Sequence, residues 1–239
     1  MAELTPGFAE FLPEWLSSRR WYAGKGRAPR LRRVGGIRWE DPAGEVGIET
    51  HIVVDEAGPE PVVYQIPLTY RSAPVDALHT ALVATAEHST LGTRYIYDGC
   101  HDPAFVQALL DLVTSGGTVS VGTGPAGGSA TGHPVTEPAA GVVVRRCGVL
   151  SGEQSNTSVI VETEADPPEP LIVKLFRVLH PGENPDVAVQ SALARAGSEL
   201  VPRPLGYVSG RWTGPDGAPA EGHLAFVQEF LPGVQDAWR

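Results

Sequence analysis

The sequence predicts an α+β protein built from two successive antiparallel sheets with helices packed on them. Three observations carry that expectation. Short β-branched stretches alternate with turn-forming residues, three segments show helical spacing with helix-end signals, and 28 Gly and 22 Pro favour many turns over long helices. At 239 residues the chain is long for one domain and carries material for two modest cores.

The opening segment places Phe8, Phe11, Leu12, Trp15 and Leu16 at helical spacings, with Pro13 at a start or kink, so a helix is expected from Pro13 to about Arg20. Three strand-like stretches follow, LRRVGGIRWE, EVGIETHIVV and PVVYQIPLTYR, separated by DPAG and DEAGPEP. They predict an antiparallel meander with the helix on one face, a unit that ends near LGTRYIYDG. In HDPAFVQALLDLVTSGG, Asp102 is the expected N-cap, Pro103 the first helical residue and Gly116 the stop. Residues 118 to 138 are so rich in Gly, Ser, Thr and Pro that they read as a loop. Beyond them the pattern is strand, Gly-containing turn, strand, turn, strand, a helix opened by Asn184-Pro185-Asp186, then two more strands.

Eighteen Lys plus Arg against 28 Asp plus Glu give a formal charge of −10, which repels a phosphate backbone and argues against nucleic-acid binding. The basic stretch holding Arg19, Arg20, Lys25, Arg27, Arg30, Arg32, Arg33 and Arg38 reads as a solvated or partner-facing surface. Cys100 and Cys147 fit no metal-ligand spacing and read as reduced thiols, a disulfide being the open alternative. No apolar run approaches the roughly 18 residues of a membrane span, and a cytoplasmic protein is expected.

The chemistry concentrates in the second half. The apolar stretch from Val142 to Leu150 runs into SGEQSNTS, a small polar turn able to fold backbone amides over nucleotide phosphates. It is no Walker motif, and taken alone an ordinary hairpin accounts for it better. Lys174 changes the balance: it is the charged residue that follows Leu171, Ile172 and Val173 in LIVKLFR, in the strand pairing with the one that leaves the turn, and it requires an anionic partner. A snorkelling strand-edge lysine is the plain alternative. LAFVQEFL, ending at Leu231 before Pro232-Gly233, reads as either an edge strand or a hinge whose backbone bonds a base.

RRWYAGKGR, YDGCHDPAFVQALL, SGEQSNTS, LIVKLFR, HPGENPD and FVQEFL, in that order, resemble the bacterial maltokinases. The resemblance implies a kinase-like fold similar to aminoglycoside phosphotransferases: a cap subdomain over 1–92, a kinase-like amino lobe over 93–232, and the start of a linker over 233–239. It implies transfer of the γ-phosphate of ATP, with Mg2+, to maltose, feeding glycogen or α-glucan synthesis, with glucosamine as the acceptor in related enzymes. On this resemblance Ser151, Gly152, Glu153, Gln154, Ser155, Asn156, Thr157 and Ser158 form the phosphate loop, and Lys174 is the phosphate-pairing lysine. Gln228, Glu229, Phe230 and Leu231 form the hinge. Trp21, Lys25 and Arg27 belong to a cap signature whose implied role is structural or regulatory, apart from the phosphates.

Two departures bear on this. Ala188 stands where the family places the carboxylate that orients the lysine, leaving Glu183 or Asp186 as substitutes or as plain helix N-terminal charges. No H-G-D-like catalytic loop or metal-binding Asp group appears, so catalytic residues and magnesium ligands are expected in a further lobe, and this chain alone is expected to be inactive. Asp98 and Asp102 read as turn and N-cap residues and His101 as a packing histidine. The alternative is a non-catalytic module that docks a trehalose synthase-type or glycogen-pathway enzyme.

Overall fold

The computed structural model describes residues 3–121, 127–136, 141–150, 155–167 and 169–233. Within them lie two all-antiparallel sheets. The first takes β1 (Leu4–Thr5), β2 (Leu31–Trp39), β3 (Gly47–Asp55), β4 (Val62–Arg71), β5 (Leu82–His88) and β6 (Gly92–Asp98), in the order β1-β5-β6-β4-β3-β2. The second takes β7 (Thr118–Val121), β8 (Gly128–Pro134), β9 (Val144–Val149), β10 (Asn156–Thr163), β11 (Leu171–Phe176), β12 (Pro204–Thr213) and β13 (Pro219–Glu229), in the order β7-β8-β12-β13-β11-β10-β9. The expected three-strand meander is thus one half of a wider sheet, with β2 at its edge. The β5–β6 hairpin belongs to it, so a boundary between 92 and 93 falls at the first residue of β6.

Helix α1 (Phe8–Ser17) lies on the outer face of the first sheet and begins five residues before the expected Pro13 start. The Gly7 N–H donates to Glu10 Oε1 at 2.8 Å, which satisfies a free amide of the first turn. Leu12, Trp15 and Leu16 are buried against Val53, Tyr64, Ile66 and Leu68. Three such side chains at about 1.5–3 kcal/mol each outweigh the roughly 3 kcal/mol that Pro13 costs inside the helix.

Helix α2 (Pro103–Ser115) follows its sequence signals closely. Asp102 caps it by accepting from the Ala104 N–H, Pro103 opens it, and Gly116 closes it at φ 65°. Phe105, Val106, Leu109, Leu110, Leu112 and Val113 join the inner faces of both sheets in one core, with Ile52, Val54 and Val63 from the first and Val159, Val173 and Val227 from the second. Helix α3 (Pro185–Arg195) covers the opposite face of the second sheet, where Val187 packs with Phe176, Phe226 and Tyr207.

Residues 118 to 138 are not the connection that their composition suggests, because β7 and β8 lie within them. Their small residues answer a steric demand. A Cβ on Gly132 would stand 1.8 Å from the Leu112 carbonyl oxygen, and one on Gly206 of the neighbouring strand 2.4 Å from the His133 oxygen. Glycine here lets the α2 backbone lie directly on the sheet.

The two sheets are spliced where β11 runs out. The Gln65 N–H donates to the Arg177 carbonyl at 3.0 Å and the Leu179 N–H to the Val63 carbonyl at 2.8 Å. The Gln65 side-chain amide bonds the Phe176 and Leu224 carbonyls at 2.7 and 2.6 Å. Cys100 and Cys147 are free thiols.

Gly132→Ala should cost about 3 kcal/mol or more through overpacking against helix backbone, read as a lowered urea midpoint; an unchanged midpoint would show that α2 is not seated on β8. A second expectation concerns pH. His51 is 4% exposed, packs against Phe8 with ring centroids 4.3 Å apart and planes tilted by 35°, and shares a 2.8 Å hydrogen bond with the Tyr70 hydroxyl. Burial, aided by Arg33, lowers its pKa from 6.5 to about 3. The unfolded chain therefore takes up the proton first, so stability is held above pH 6.5 and falls as pH drops toward 3. The slope for this one group is about 1.4 kcal/mol per pH unit. Urea titrations between neutral and acid pH should show a shallower decline for His51→Gln than for the parent.

Candidate functional site

The two faces of the second sheet have different contents, and residue parity decides which side chain goes where. Val159 is opposite Val173 and Val173 opposite Val227 on the core face. One residue along, Ser158 is opposite Lys174 and Lys174 opposite Phe226 on the α3 face.

On that outer face Lys174 Nζ sits 3.4 Å from Asp186 Oδ2 in the first turn of α3. Asn184 fixes the turn by accepting from the Asp186 N–H at 2.9 Å, and the Asn184 N–H in turn donates to His223 Nδ1 at 2.9 Å. Burial lowers the His223 pKa, which keeps Nδ1 available as an acceptor. Of the two candidate carboxylates, Asp186 at the helix start is the one that meets Lys174. Glu183 is exposed and lines a small cavity with His180 and His223. Asp186 is 57% exposed, so this pair holds the lysine in place more than it stabilises the fold.

Of the expected phosphate-loop residues, Ser151, Gly152, Glu153 and Gln154 lie outside the described residues. Ser155 is exposed, Asn156 and Ser158 share the Lys174 face, and Thr157 points the other way, where it is buried. At the end of β13, Gln228 is 8% exposed and its Oε1 has no partner among the described residues. The Glu229 N–H is bonded to the Arg203 carbonyl at 2.8 Å and the Phe230 N–H to that of Pro170 at 2.9 Å, while Leu231 is exposed. A cavity of about 400 Å³ lined by Val142, Thr163, Leu171, Arg203 and Leu205 opens on the core side and does not include Lys174.

Thr157 leads to a residue that sequence reasoning passed over. Arg177 is fully buried, donates through Nε to Thr157 Oγ1 at 2.7 Å, and reaches both Asp98 oxygens through Nη2 at 2.9 and 2.7 Å. Its guanidinium lies 4.6 Å from the Trp21 ring centre. Burial works against its charge and Asp98 more than offsets that, so its pKa is raised. Through Arg177, Trp21 is one side chain away from β10. Asp98 is an ion-pair partner as well as a turn residue. The signal was parity, since Arg177 is in phase with Val173 and Leu175, both of which face the core.

The other two signature residues act locally. Lys25 Nζ donates to the Arg19 carbonyl at 2.8 Å, and the Arg27 N–H to that of Gly24 at 2.9 Å. Asp102, besides capping α2, forms a two-point pair with Arg71 at 2.8 and 2.7 Å and accepts from Thr69 at 2.8 Å.

Residues 15–102 match the maltokinase N-terminal cap domain. The cap domain therefore contains Trp21, Asp98 and the α2 cap, and it ends before Thr157, Lys174 and Arg177. The match spans β2 to β6, five strands of the first sheet, and Arg177 docks the second sheet onto it. No grouping of three or more His, Cys, Asp or Glu able to hold a metal ion occurs among the described residues. No helix among them is long and apolar enough to cross a membrane.

Removing one partner of the buried pair should be costly. Arg177→Met leaves Asp98 charged and unpaired, and a loss of about 3–5 kcal/mol is expected in urea unfolding, partly recovered when Asp98→Asn is added. A loss below about 1 kcal/mol would mean that the apolar core and the Gln65 splice dock the cap domain without help from this pair.

Proposed function

We propose that this chain is the nucleotide-binding, amino-terminal part of an ATP-dependent sugar kinase of the maltokinase kind, acting on ATP and maltose to give maltose 1-phosphate and ADP. The observation that carries the reading is the Lys174–Asp186 pair on the sheet face turned away from the cap domain. A lysine on a strand, held by a helix carboxylate and facing the strand that leaves a small polar turn, is the arrangement with which kinase-like folds grip the α- and β-phosphates. The strand order β9-β10-β11-β13-β12, with α3 between β11 and β12, supports it. The matched cap domain supplies the sugar-kinase side of the reading.

Within this proposal the parts have distinct tasks. Residues 151–158 cover the phosphates, Lys174 neutralises them, and Asp186 keeps the ammonium aimed at them. Gln228 to Leu231 holds the base. The second sheet, locked to the cap domain through Arg177, is a rigid platform, which is what a reaction dominated by positioning demands. Magnesium does not fit the described residues, since Asp186 is taken up by Lys174 and no carboxylate cluster accompanies it. The proposal assigns magnesium, the general base and the acceptor sugar, maltose or glucosamine, to a further lobe. The docking-module alternative drew on the missing carboxylate at Ala188, and Asp186 removes that support.

Titration with a non-hydrolysable ATP analogue should detect binding to this chain. Lys174→Ala should weaken it at least about tenfold, as expected for losing a charge-assisted contact, and Asp186→Ala should weaken it less. Identical, flat curves for parent and variant would refute nucleotide binding. Robust maltose phosphorylation by these residues alone would refute the assignment of catalysis to a further lobe.

A further inference from the structure

We infer that Gln228 selects the base at this site, reading the 6-position of a purine through its side-chain amide and admitting both adenine and guanine nucleotides. The inference rests on the nucleotide reading above and goes beyond it by assigning base choice to one side chain.

Gln228 is 8% exposed, and its Oε1 is sealed from solvent with no hydrogen-bond partner among the described residues. An unpaired buried acceptor is a standing cost that a leucine of similar size would not incur. Register gives the amide its direction. Gln228 is opposite Ile172, and Phe226, two residues earlier, is opposite Lys174. Alternation therefore puts Gln228 on the Lys174 face, while Val227 and Ala225 between and beside them belong to the core face. One strand over and two residues along, the Gln228 and Lys174 backbones are about 8 Å apart, so a ligand whose phosphates meet the lysine brings its base toward the amide. Ile172, half-buried and opposite it, flanks it with apolar surface suited to the face of a planar ring.

What the amide does there follows from its two ends. Its carbonyl accepts from the 6-amino group of adenine; a half-turn of the same group presents NH2 to the 6-oxo group of guanine. Neither base leaves a polar atom facing another of its own kind. A carboxylate lacks the second option, because ionised it only accepts, and against guanine it would oppose oxygen to oxygen.

The test is isothermal titration of the parent chain, Gln228→Glu and Gln228→Leu with ADP and GDP, with thermal melts confirming that each variant folds. The parent should bind the two nucleotides within about tenfold of each other. Gln228→Glu should shift the ratio toward ADP by at least about tenfold, and Gln228→Leu should weaken both while melting no lower than the parent. A parent that rejects GDP, or a ratio that is the same in all three proteins, overturns the inference and leaves the nucleotide reading standing. Absence of binding of either nucleotide to the folded parent overturns both.

Discussion

Arg177 is the constraint on which the arrangement depends. A guanidinium with no solvent exposure is tolerated only when its charge is met, and Asp98 at the end of β6 meets it with both oxygens. Trp21 covers it with a ring face and Thr157 takes the remaining Nε proton, so three segments distant in sequence are held by one side chain. Separating the cap domain from the second sheet would leave a charge on each side without its partner. The backbone splice through Gln65 reinforces this, because amides of β4 are satisfied by carbonyls of the β11 extension. The two sheets therefore behave as one body, and what moves the cap domain moves β10.

That coupling reaches the proposed phosphate loop through strand geometry. Thr157 and Ser158 are consecutive in β10, so one points to Arg177 and the cap domain and the other to Lys174. The strand emerging from the loop is pinned on one side by a buried ion pair, which fixes where its other side presents Ser158 and Asn156. Rigidity at the loop's exit comes from the cap domain, far in sequence from any residue that would meet a phosphate.

Much of this was legible in the sequence, and what was not has physical reasons. The α2 limits followed from Asp102, Pro103 and Gly116 because caps act over a few residues and depend little on the rest of the fold. The order of elements after Val142 was readable for the same local reason. β7 and β8 were hidden because strands under a close-packed helix need glycine and small polar residues, the composition of a loop. The early start of α1 was hidden because burial of Leu12, Trp15 and Leu16 overrides the proline. Asp186 was nameable as a candidate, yet choosing it over Glu183 required the helix start, which depends on His223 from another strand. Arg177 was readable in principle from parity, while its partner Asp98 was not, since 79 residues separate them.

The location of unmet hydrogen-bonding capacity sharpens the division between the two faces. Among the described residues, the buried atoms without partners toward the cap domain and core are nitrogens on Trp15, His51, Arg177 and Trp212. Those of the second sheet's outer layer are oxygens, on Gln190 and Ser191 of α3 and Gln228 of β13. The inner face is filled by apolar contacts and the Arg177–Asp98 pair, while the layer that carries Lys174 keeps these unpaired acceptors. On the proposed nucleotide reading, a ligand with an anionic end and a planar end that donates would complete a face that holds a cation and sealed acceptors.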